Sequence, residues 1–325
     1  IAQLDTADDL YKKENWIKAN PILEYDEDAL ENLVPVANTA RDMGGEDLRD
    51  FLVKQLNMWM QWSNALYIKD IKDWKRCAAL RTLKDFRGSK CYVGVDLSSG
   101  GDLTSIAIVI PYMVDGVKKY FVHTHSFIPA SRVDEHIKTD KVPYDVWISK
   151  GLVTVTETLG GIKTDYKYII KYLEDLIKQN DLKPQLVCYD PHNASAFLSD
   201  LEALGFDSVA ITQTAKELND ATVDFRLEIK AGNVVIEGTE VGKGKVVPFD
   251  ELLTWSIANA KTISNSYGEI KIDKALDEDR IDPIDAIIDA WKAAMKEEYK
   301  PDTNEVVNEW LEMYEKYMGK GGEKE

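Results

Sequence analysis

The sequence predicts a domain of the α/β class, with a mixed sheet flanked by helices and preceded by a helical segment. Three runs rich in β-branched and aromatic residues follow one another between residues 91 and 127, which is typical of an antiparallel meander. Predicted helices and strands then alternate, which favours additional parallel strands with helices packed on the sheet. Before residue 89, apolar residues instead recur at intervals of three and four, as they do on one face of a helix.

The segment from residue 1 to about residue 88 is predicted to be helical. The stretches "DEDALENLVPVANTARD" and "EDLRDFLVKQLNMWMQW" have the helical spacing of apolar residues and almost no strand signal. Gly88 and Ser89 interrupt this pattern and predict its end. Because Ile1 is not an initiator methionine, we expect the chain to be part of a longer protein.

The sheet is predicted to begin with the strands "CYVGVDL", "TSIAIVIPY" and "KKYFVHTHSF". Asp115 and Gly116, between the second and third runs, are a typical hairpin turn. A short strand, "LVTVTE", precedes a helix, "DYKYIIKYLEDLIKQN", a buried strand, "QLVCYD", and a second helix, "NASAFLSDLEALG". We expect this part to add parallel strands beside the meander. Two further helices, "FDELLTWSIANA" and "RIDPIDAIIDAWKAAMKEEY", bracket a hairpin that turns near Gly268.

The composition is that of a globular protein, with 44% hydrophobic and 30% charged residues. No apolar run approaches the roughly 18 residues of a membrane helix, so we expect no membrane association. The three cysteines have no CxxC spacing, which argues against a disulfide framework or a zinc knuckle and favours a reducing compartment. The net charge of −17 argues against a simple nucleic-acid-binding domain, because such domains are usually basic. It does not exclude an enzyme whose DNA is delivered by other domains or subunits.

Five aspartates stand where a metal site could form. Asp96 and Asp190 each end a predicted strand, whereas Asp282, Asp285 and Asp289 lie near one face of the last helix. If the two strands are neighbours, their acids emerge side by side, and the helix can bring a third carboxylate to them. Oxygen-only clusters of this kind are what hard divalent ions prefer, and two such ions about 4 Å apart can hydrolyse a phosphodiester.

Each of these acids also has a simpler interpretation. A single acid at a strand end is more often a helix cap or a turn residue. Asp282 precedes Pro283 and is a good N-cap, while Asp289 is predicted to lie on a solvated or salt-bridged face of the helix. The joint placement of the acids, rather than any one of them, indicates the metal site.

Other residues give weaker signals. His123 and His125 share a strand face and could chelate a metal, but without a third ligand nearby they are more typical of ordinary strand histidines. His192 could orient a phosphate or a water, or it could cap the helix that follows. Lys243 and Lys245 lie in a glycine-punctuated loop that either contacts a DNA backbone or is a solvated hairpin tip. The sequence has no GxxxxGK[ST] motif, so this chain cannot by itself cradle a nucleotide in a P-loop.

Three motifs resemble, in order, the C-terminal nuclease domain of the large terminase subunit of tailed bacteriophages: "YVGVDLSSGGDLTSIAIV", "VCYDPHNAS" and "KIDKALDEDRIDPIDAIIDAW". The upstream stretches "NWIKANPIL" and "LNMWMQW" resemble the segments that close the ATPase domain in that family. The resemblance runs from about Asn15 to Trp291 and implies a ribonuclease-H-like fold. It implies a helical remnant of the motor domain at 1–88 and the nuclease domain at 89–300. A C-terminal helix and a flexible tail are predicted at 301–325.

The resemblance implies a metal-dependent endonuclease that cuts concatemeric phage DNA by two-metal phosphodiester hydrolysis, with Mg²⁺ or Mn²⁺ as the two ions. The catalytic aspartates of the family fall on Asp96, Asp190 and Asp282, and Asp285 is the alternative for the third position. Further candidates, for DNA contact or for the site itself, are Lys274, Asn259 and Asp102.

The same resemblance implies the partners, which are double-stranded viral DNA, the small terminase subunit and the portal protein, in the cytoplasm of a phage-infected bacterium. The portal contact is assigned to the C-terminal region, where Trp310, Tyr314 and Tyr317 would form an aromatic stripe on a short helix. This stripe could instead pack on the nuclease's own surface. ATP hydrolysis is not assigned to this chain, because the motor's phosphate-binding motif would lie before Ile1.

Two other functions fit parts of the sequence. Actin-like and sugar-kinase enzymes also open with a strand that ends in an aspartate, followed by a small-residue turn and a hairpin. They need a second glycine-rich phosphate loop, and "CYDPHNAS" has proline, histidine and asparagine at that place. A non-catalytic packaging scaffold with the same fold would not need the acids, and the retention of all three argues against it.

Overall fold

The computed structural model describes residues 2–5, 8–43, 50–58, 65–98, 103–140, 142–157, 164–192, 194–274 and 279–298. The α-helices are α1 Lys13–Trp16, α2 Glu27–Met43, α3 Ile71–Lys75, α4 Val133–Thr139, α5 Tyr144–Ser149, α6 Tyr166–Asn180, α7 Ser195–Ala203, α8 Ala215–Ala231, α9 Glu251–Asn259 and α10 Asp282–Ala294. The strands are β1 Ala78–Ala79, β2 Lys90–Asp96, β3 Thr104–Val114, β4 Val117–Pro129, β5 Val153–Thr156, β6 Lys183–Tyr189, β7 Ser208–Ala210, β8 Val234–Glu240, β9 Val246–Pro248, β10 Ala260–Ser264 and β11 Ile270–Lys274. Shorter helical turns lie at Pro21–Glu24, Phe51–Gln55, Leu83–Phe86 and Ala130–Arg132.

The central sheet has the strand order β1-β8-β4-β3-β2-β6-β7, with β5 also paired to β4 and β9 to β8. Strands β2, β3 and β4 form the predicted antiparallel meander, and Asp115 and Gly116 both adopt positive φ in its hairpin turn, as type I′ turns require. Strand β6 pairs with β2 in parallel, and β7 continues beside β6. The predicted parallel strands beside the meander are therefore confirmed, although β8 joins the other side of the meander, next to β4.

The two faces of the sheet carry separate hydrophobic cores. On one face, α10 packs across β2 and β3, and α8 packs against α10. On the other face, α6 and α7 cover side chains such as Val93 and Val95. Because the central strands are buried on both faces, they appear in the sequence as nearly continuous apolar runs.

The N-terminal part has a core of its own. Trp16 and Leu56 are buried in a cluster that is separate from the two sheet cores. Trp74, by contrast, is fully buried in the sheet core, and β1 pairs with β8 at the edge of the central sheet. Leu56 thus belongs to the N-terminal core, whereas Tyr67 already belongs to the sheet core. The helical prediction is correct for α2 but misses β1, because a two-residue strand is too short to show a periodic pattern. The division at residue 88 into a motor remnant and a nuclease stays a prediction.

A short ladder joins residues 65–67 to the predicted hairpin, which β10 and β11 form with Gly268 at positive φ in the turn. Leu66 bridges Lys261 in the antiparallel sense. The hairpin is therefore extended by one isolated bridge along the outer edge of β10. The two backbone hydrogen bonds of this ladder run from Tyr67 N to Ala260 O (2.8 Å) and from Thr262 N to Ala65 O (2.6 Å).

Two predictions fall on residues that the structure does not describe. The C-terminal helix and tail at 301–325 and the candidate Asp102 both lie outside the described residues. Within the described ranges, no helix combines the length and the apolar character needed to cross a bilayer.

Candidate metal centre

Helix α10 runs antiparallel to β2 and lies directly on it. Lys90, at the start of β2, pairs with Glu297 just beyond the helix, with 2.9 Å between Nζ and Oε1. Further along the strand, Gly94 faces the helix backbone so closely that a Cβ atom there would lie 2.8 Å from Ala290 N and closer still to Ala286 O. The start of α10 therefore reaches the carboxyl end of β2.

Asp96 ends β2, and Asp190 directly follows β6. Val95 is the register partner of the last residue of β6, so the two aspartates come next in neighbouring parallel strands. The backbone N–H of Asp190 donates to the carbonyl of Val95 at 3.4 Å. Gly94 and Cys188, each two residues before one of the acids, lie on the α10 side of the sheet. Strand alternation therefore places both carboxylates under α10.

Helix α10 brings three more aspartates to the carboxyl ends of β2 and β6. Asp285 is partly buried, Asp282 is 7% exposed and Asp289 is only 1% exposed. The prediction that Asp289 lies on a solvated or salt-bridged face is wrong, because that face of the helix packs against the sheet. Gln213 Nε2 donates to both carboxylate oxygens of Asp289, at 3.0 and 3.2 Å. Gln213 lies just beyond β7, so a third strand end also reaches the acids.

Asp282 does not cap α10 from outside, contrary to the prediction. The helix begins at Asp282 itself, with Ile281 in the N-cap position and Pro283 as the second helical residue. A proline in the first turn loses no helical hydrogen bond, so the helix can include Asp282. The carboxylate is thereby fixed in the first turn, where the helix dipole favours negative charge.

Burial and mutual repulsion raise the pKa of Asp96 well above its usual value. Burial is the larger cause. The charges that add to it are, in order, those of Asp282, Asp285, Asp289 and Asp190. Each of the other four acids thus lies within electrostatic range of Asp96, near the carboxyl ends of β2 and β6.

The pKa values of Asp285 and Asp289 are affected in the same direction. Burial, and after it the charges of Asp289 and Asp282, raise the pKa of Asp285, whereas Lys271 lowers it. Burial also raises the pKa of Asp289 to about 8, although the hydrogen bond from Gln213 opposes this rise. A cation bound among these groups would favour their charged forms, because an opposite charge stabilises a carboxylate.

The donors at this edge are carboxylate oxygens, which suit Mg²⁺ or Mn²⁺ rather than soft metals. Across the described ranges, no three side chains of His, Cys, Asp or Glu are arranged around the position of a single ion. The repulsion among the five acids is, however, the electrostatic condition that a divalent cation relieves. The cluster therefore fits a hard divalent ion by its chemistry and its charge.

The remaining predicted residues are placed differently. His192 is exposed, and its backbone N–H donates to Asp190 Oδ1 at 3.0 Å. Asn259 ends α9, and its side-chain nitrogen is buried without a hydrogen-bond partner in the part of the chain that the structure describes. Lys243 and Lys245 are exposed in the loop after β8. That loop follows the carboxyl end of β8, so it lies at the same end of the strands as the acids. However, β8 is three strand spacings from β2, about 14 Å. The structure therefore does not bring these two lysines to the acids.

Lys271, which the sequence analysis did not select, faces the acids. Ile272 packs into the core, so strand alternation places Lys271 and Asp273 together on the opposite face of β11. Both of these charges act on the pKa of Asp285. Lys274, the predicted lysine, lies at the end of β11 on the same side as Ile272. The alternation in "GEIKIDK" is the signal that could have identified Lys271.

His123 and His125 face the other side of the sheet, toward α6. The ring of His125 stacks on Tyr172, with 4.0 Å between the centroids, and its Nε2 lies 2.8 Å from the hydroxyl of Thr154. Burial lowers the pKa of His123 to about 4 and that of His125 to about 3, so both rings are neutral at pH 7. These contacts support the interpretation of ordinary strand histidines.

The fold and the site together define a class of protein: an α/β domain with acids at the ends of adjacent strands, facing further acids on a helix across the sheet. A family model described as the endonuclease domain of the terminase large subunit matches residues 1–298. This chain belongs to that family, which confirms the resemblance found in its motifs.

Individual relatives agree with the family. The large terminase subunit of Enterobacteria phage HK97 is 26% identical over 276 residues, which are 84% of this chain and 50% of that protein. The large subunit of Lactococcus phage p2 is 22% identical over 216 residues, which are 66% of this chain and 37% of that protein. The crystal structure of the HK97 large terminase matches with a TM-score of 0.58 at 25% identity and covers 90% of this chain and 56% of that one. The predicted ribonuclease-H-like fold is thereby confirmed. The chain spans about half the length, or less, of these relatives.

Proposed function

We propose that this chain is the nuclease part of a phage DNA-packaging terminase and that it cuts concatemeric viral DNA as a metal-dependent endonuclease. The observation that carries the proposal is the cluster of acids at the ends of β2 and β6, under the first turns of α10. Membership of the family supports a nuclease and disfavours the actin-like and sugar-kinase alternative.

The five acids would have different roles. Asp96 and Asp190 would hold the metal from the two strand ends, and Asp282 or Asp285 would complete the site from the helix. A pair of Mg²⁺ or Mn²⁺ ions, when bound there, supplies an activated water and neutralises charge on the scissile phosphate. Asp289 is 1% exposed and is held by Gln213, so we assign it no contact with the substrate.

DNA contact is assigned first to Lys271. It makes no ion pair with any other described residue, yet it acts electrostatically on Asp285 beside the proposed cut site. Lys274, at the end of the same strand, and Lys243 and Lys245, three strands away, would contact DNA farther from the acids. The net charge of −17 means that the rest of the packaging assembly would have to hold the substrate.

The partners follow from the role of the whole protein and belong to the same proposal. They are double-stranded viral DNA, the small terminase subunit and the portal protein, the last through the C-terminal region. The place of action would be the cytoplasm of the infected bacterium. His192 and Asn259 remain secondary candidates.

The direct test uses supercoiled plasmid DNA with this chain and Mn²⁺. We expect nicked and then linear plasmid on an agarose gel, because a bound ion can activate water beside the acids. Addition of EDTA should abolish both products. Cleavage that survives EDTA, or no cleavage with any divalent ion, would contradict the proposed activity.

Replacing Lys271 with glutamine is expected to weaken binding of a short DNA duplex, because one phosphate contact is lost. The slope of the logarithm of the binding constant against the logarithm of the salt concentration should fall by about one. Fluorescence anisotropy at several salt concentrations measures both quantities, with Asp96→Asn as the background that prevents cleavage. Lys183→Gln is the matched control, since Lys183 is exposed at the start of β6, at the end of the strand opposite the acids. Equal binding by the two lysine variants would remove Lys271 from the interface.

A further inference from the structure

We propose that Asp140 keeps the guanidinium of Arg280 away from the acid cluster and thereby acts as a positioning residue for metal binding, an inference that rests on the proposed function. Arg280 precedes Asp282 by two residues. A guanidinium matches the geometry of a carboxylate and forms strong two-point contacts with it. Released from Asp140, it would compete with a divalent ion for the acids of α10.

Asp140 engages Arg280 through both of its carboxylate oxygens. Arg280 Nε donates to Oδ2 and Arg280 Nη2 donates to Oδ1, each at 3.2 Å. Such a contact fixes the plane of the guanidinium as well as its position. The side chain of Arg280 is 11% exposed and that of Asp140 is 0% exposed. Water therefore screens this ion pair much less than it screens a pair on the surface.

Asp140 is itself fixed by three other side chains. His136 Nδ1 lies 2.9 Å from Oδ2, the Tyr144 hydroxyl donates to Oδ2 at 2.9 Å, and the Thr139 hydroxyl donates to Oδ1 at 2.7 Å. Burial raises the pKa of Asp140, but the hydrogen bonds from these residues and from Arg280 outweigh it and hold the pKa well below its usual range. The carboxylate is therefore charged at neutral pH, as an arginine partner must be.

This network adjoins the acid cluster. Burial raises the pKa of Tyr144, the charges of Asp140 and Asp282 raise it further, and the charge of Arg280 lowers it. Asp282 thus lies within electrostatic range of a side chain that Asp140 contacts directly. Asp140 follows α4, in the excursion between β4 and β5 that also contains α5. A segment remote in sequence therefore holds the residue that leads into α10.

The test is Mn²⁺ binding by isothermal titration calorimetry on the whole chain. Asp140→Asn is expected to weaken binding about tenfold, the lower end of the range for partners just outside a metal's ligands, because a neutral amide no longer forms an ion pair with the guanidinium. Arg280→Gln and the double variant should both bind within about twofold of the unmodified chain, since neither contains the competing guanidinium. Asp145→Asn is the matched control, because Asp145 is an exposed acid of the same excursion and should bind like the unmodified chain.

Rescue by the second substitution separates this role from a purely structural one. If Asp140 only stabilised the fold, the double variant would bind Mn²⁺ as poorly as Asp140→Asn, and the proposal would be overturned. Unchanged binding by Asp140→Asn would overturn it as well. If thermal unfolding shows that Asp140→Asn does not fold, the double variant should restore both folding and binding, because the loss of the buried Asp140–Arg280 ion pair is then the defect. A double variant that stays unfolded, or folds without binding, would also refute the proposal. Absence of Mn²⁺ binding by the unmodified chain would refute the proposed metal-dependent function, and this inference with it.

Discussion

Replacing either Asp96 or Asp190 with asparagine is expected to reduce plasmid cleavage by more than about a hundredfold while the chain stays folded. Partners that lie just outside a metal's ligands already change affinity or activity by about 10- to 100-fold, so the loss of a ligand should exceed that range. Initial rates of nicking with Mn²⁺ measure the effect. Asp115→Asn is the matched control, since Asp115 is exposed in the β3–β4 turn, at the ends of the strands opposite the acids.

The stability of Asp96→Asn should change in the opposite direction from its activity. Burial and the neighbouring acids raise the pKa of Asp96 in the folded state, so the folded protein is destabilised once this carboxylate loses its proton. That destabilisation grows as the pH rises above the usual pKa of an aspartate. The gain in thermal unfolding midpoint without metal should therefore be larger at pH 8 than at pH 4. Normal cleavage by both variants would place the metal site elsewhere, and a loss of folding would mean that the acids serve the core.

Replacing Gly94 with alanine is expected to destabilise the fold by at least about 3 kcal/mol, the upper part of the range for overpacking. The added methyl group would meet the backbone of α10 at Ala286 and Ala290, and a helix backbone cannot rotate away as a side chain can. Either the helix must move off the sheet or the strand must bend. Both responses would also displace Asp282 from the strand-end acids, so cleavage should fall as well.

Urea unfolding of Gly94→Ala measures this effect, and Gly116→Ala is the control. Gly116 has nothing within 4 Å of the position of a Cβ atom, but its φ of +75° is in the left-handed region. Alanine there should cost only about 1 kcal/mol of backbone strain. Similar free energies of unfolding for the two variants would show that α10 can lift from β2 without penalty.

The sequence predicts the sheet and its acids because both depend on local patterns. Buried strands give continuous apolar runs, the acids follow those runs directly, and the spacing in "RIDPIDAIIDAW" puts three aspartates near one helix face. Which face of that helix meets the sheet is not a local property. The local pattern therefore predicts a solvated or salt-bridged face for Asp289, and no local signal indicates its partner Gln213, 76 residues earlier in the chain.

Long-range pairing limits the prediction elsewhere too. The place of β8 beside β4 depends on strand pairing across more than a hundred residues, which no local pattern encodes. The same is true of Arg280, whose partner Asp140 is 140 residues away. Lys271 is a different case, since the alternation in "GEIKIDK" places it on the polar face of its strand, whereas the family resemblance indicates Lys274.

Two backbone hydrogen bonds couple residues 65–67 mechanically to β10, the first strand of the hairpin. They cross between the strands, so a pull along the strand direction loads both in shear rather than opening them one after the other. The hairpin that receives this load carries Lys271 beside Asp285 on its second strand. A displacement of residues 65–67 along the strand direction therefore loads both bonds together and transmits force to the strand pair that carries Lys271.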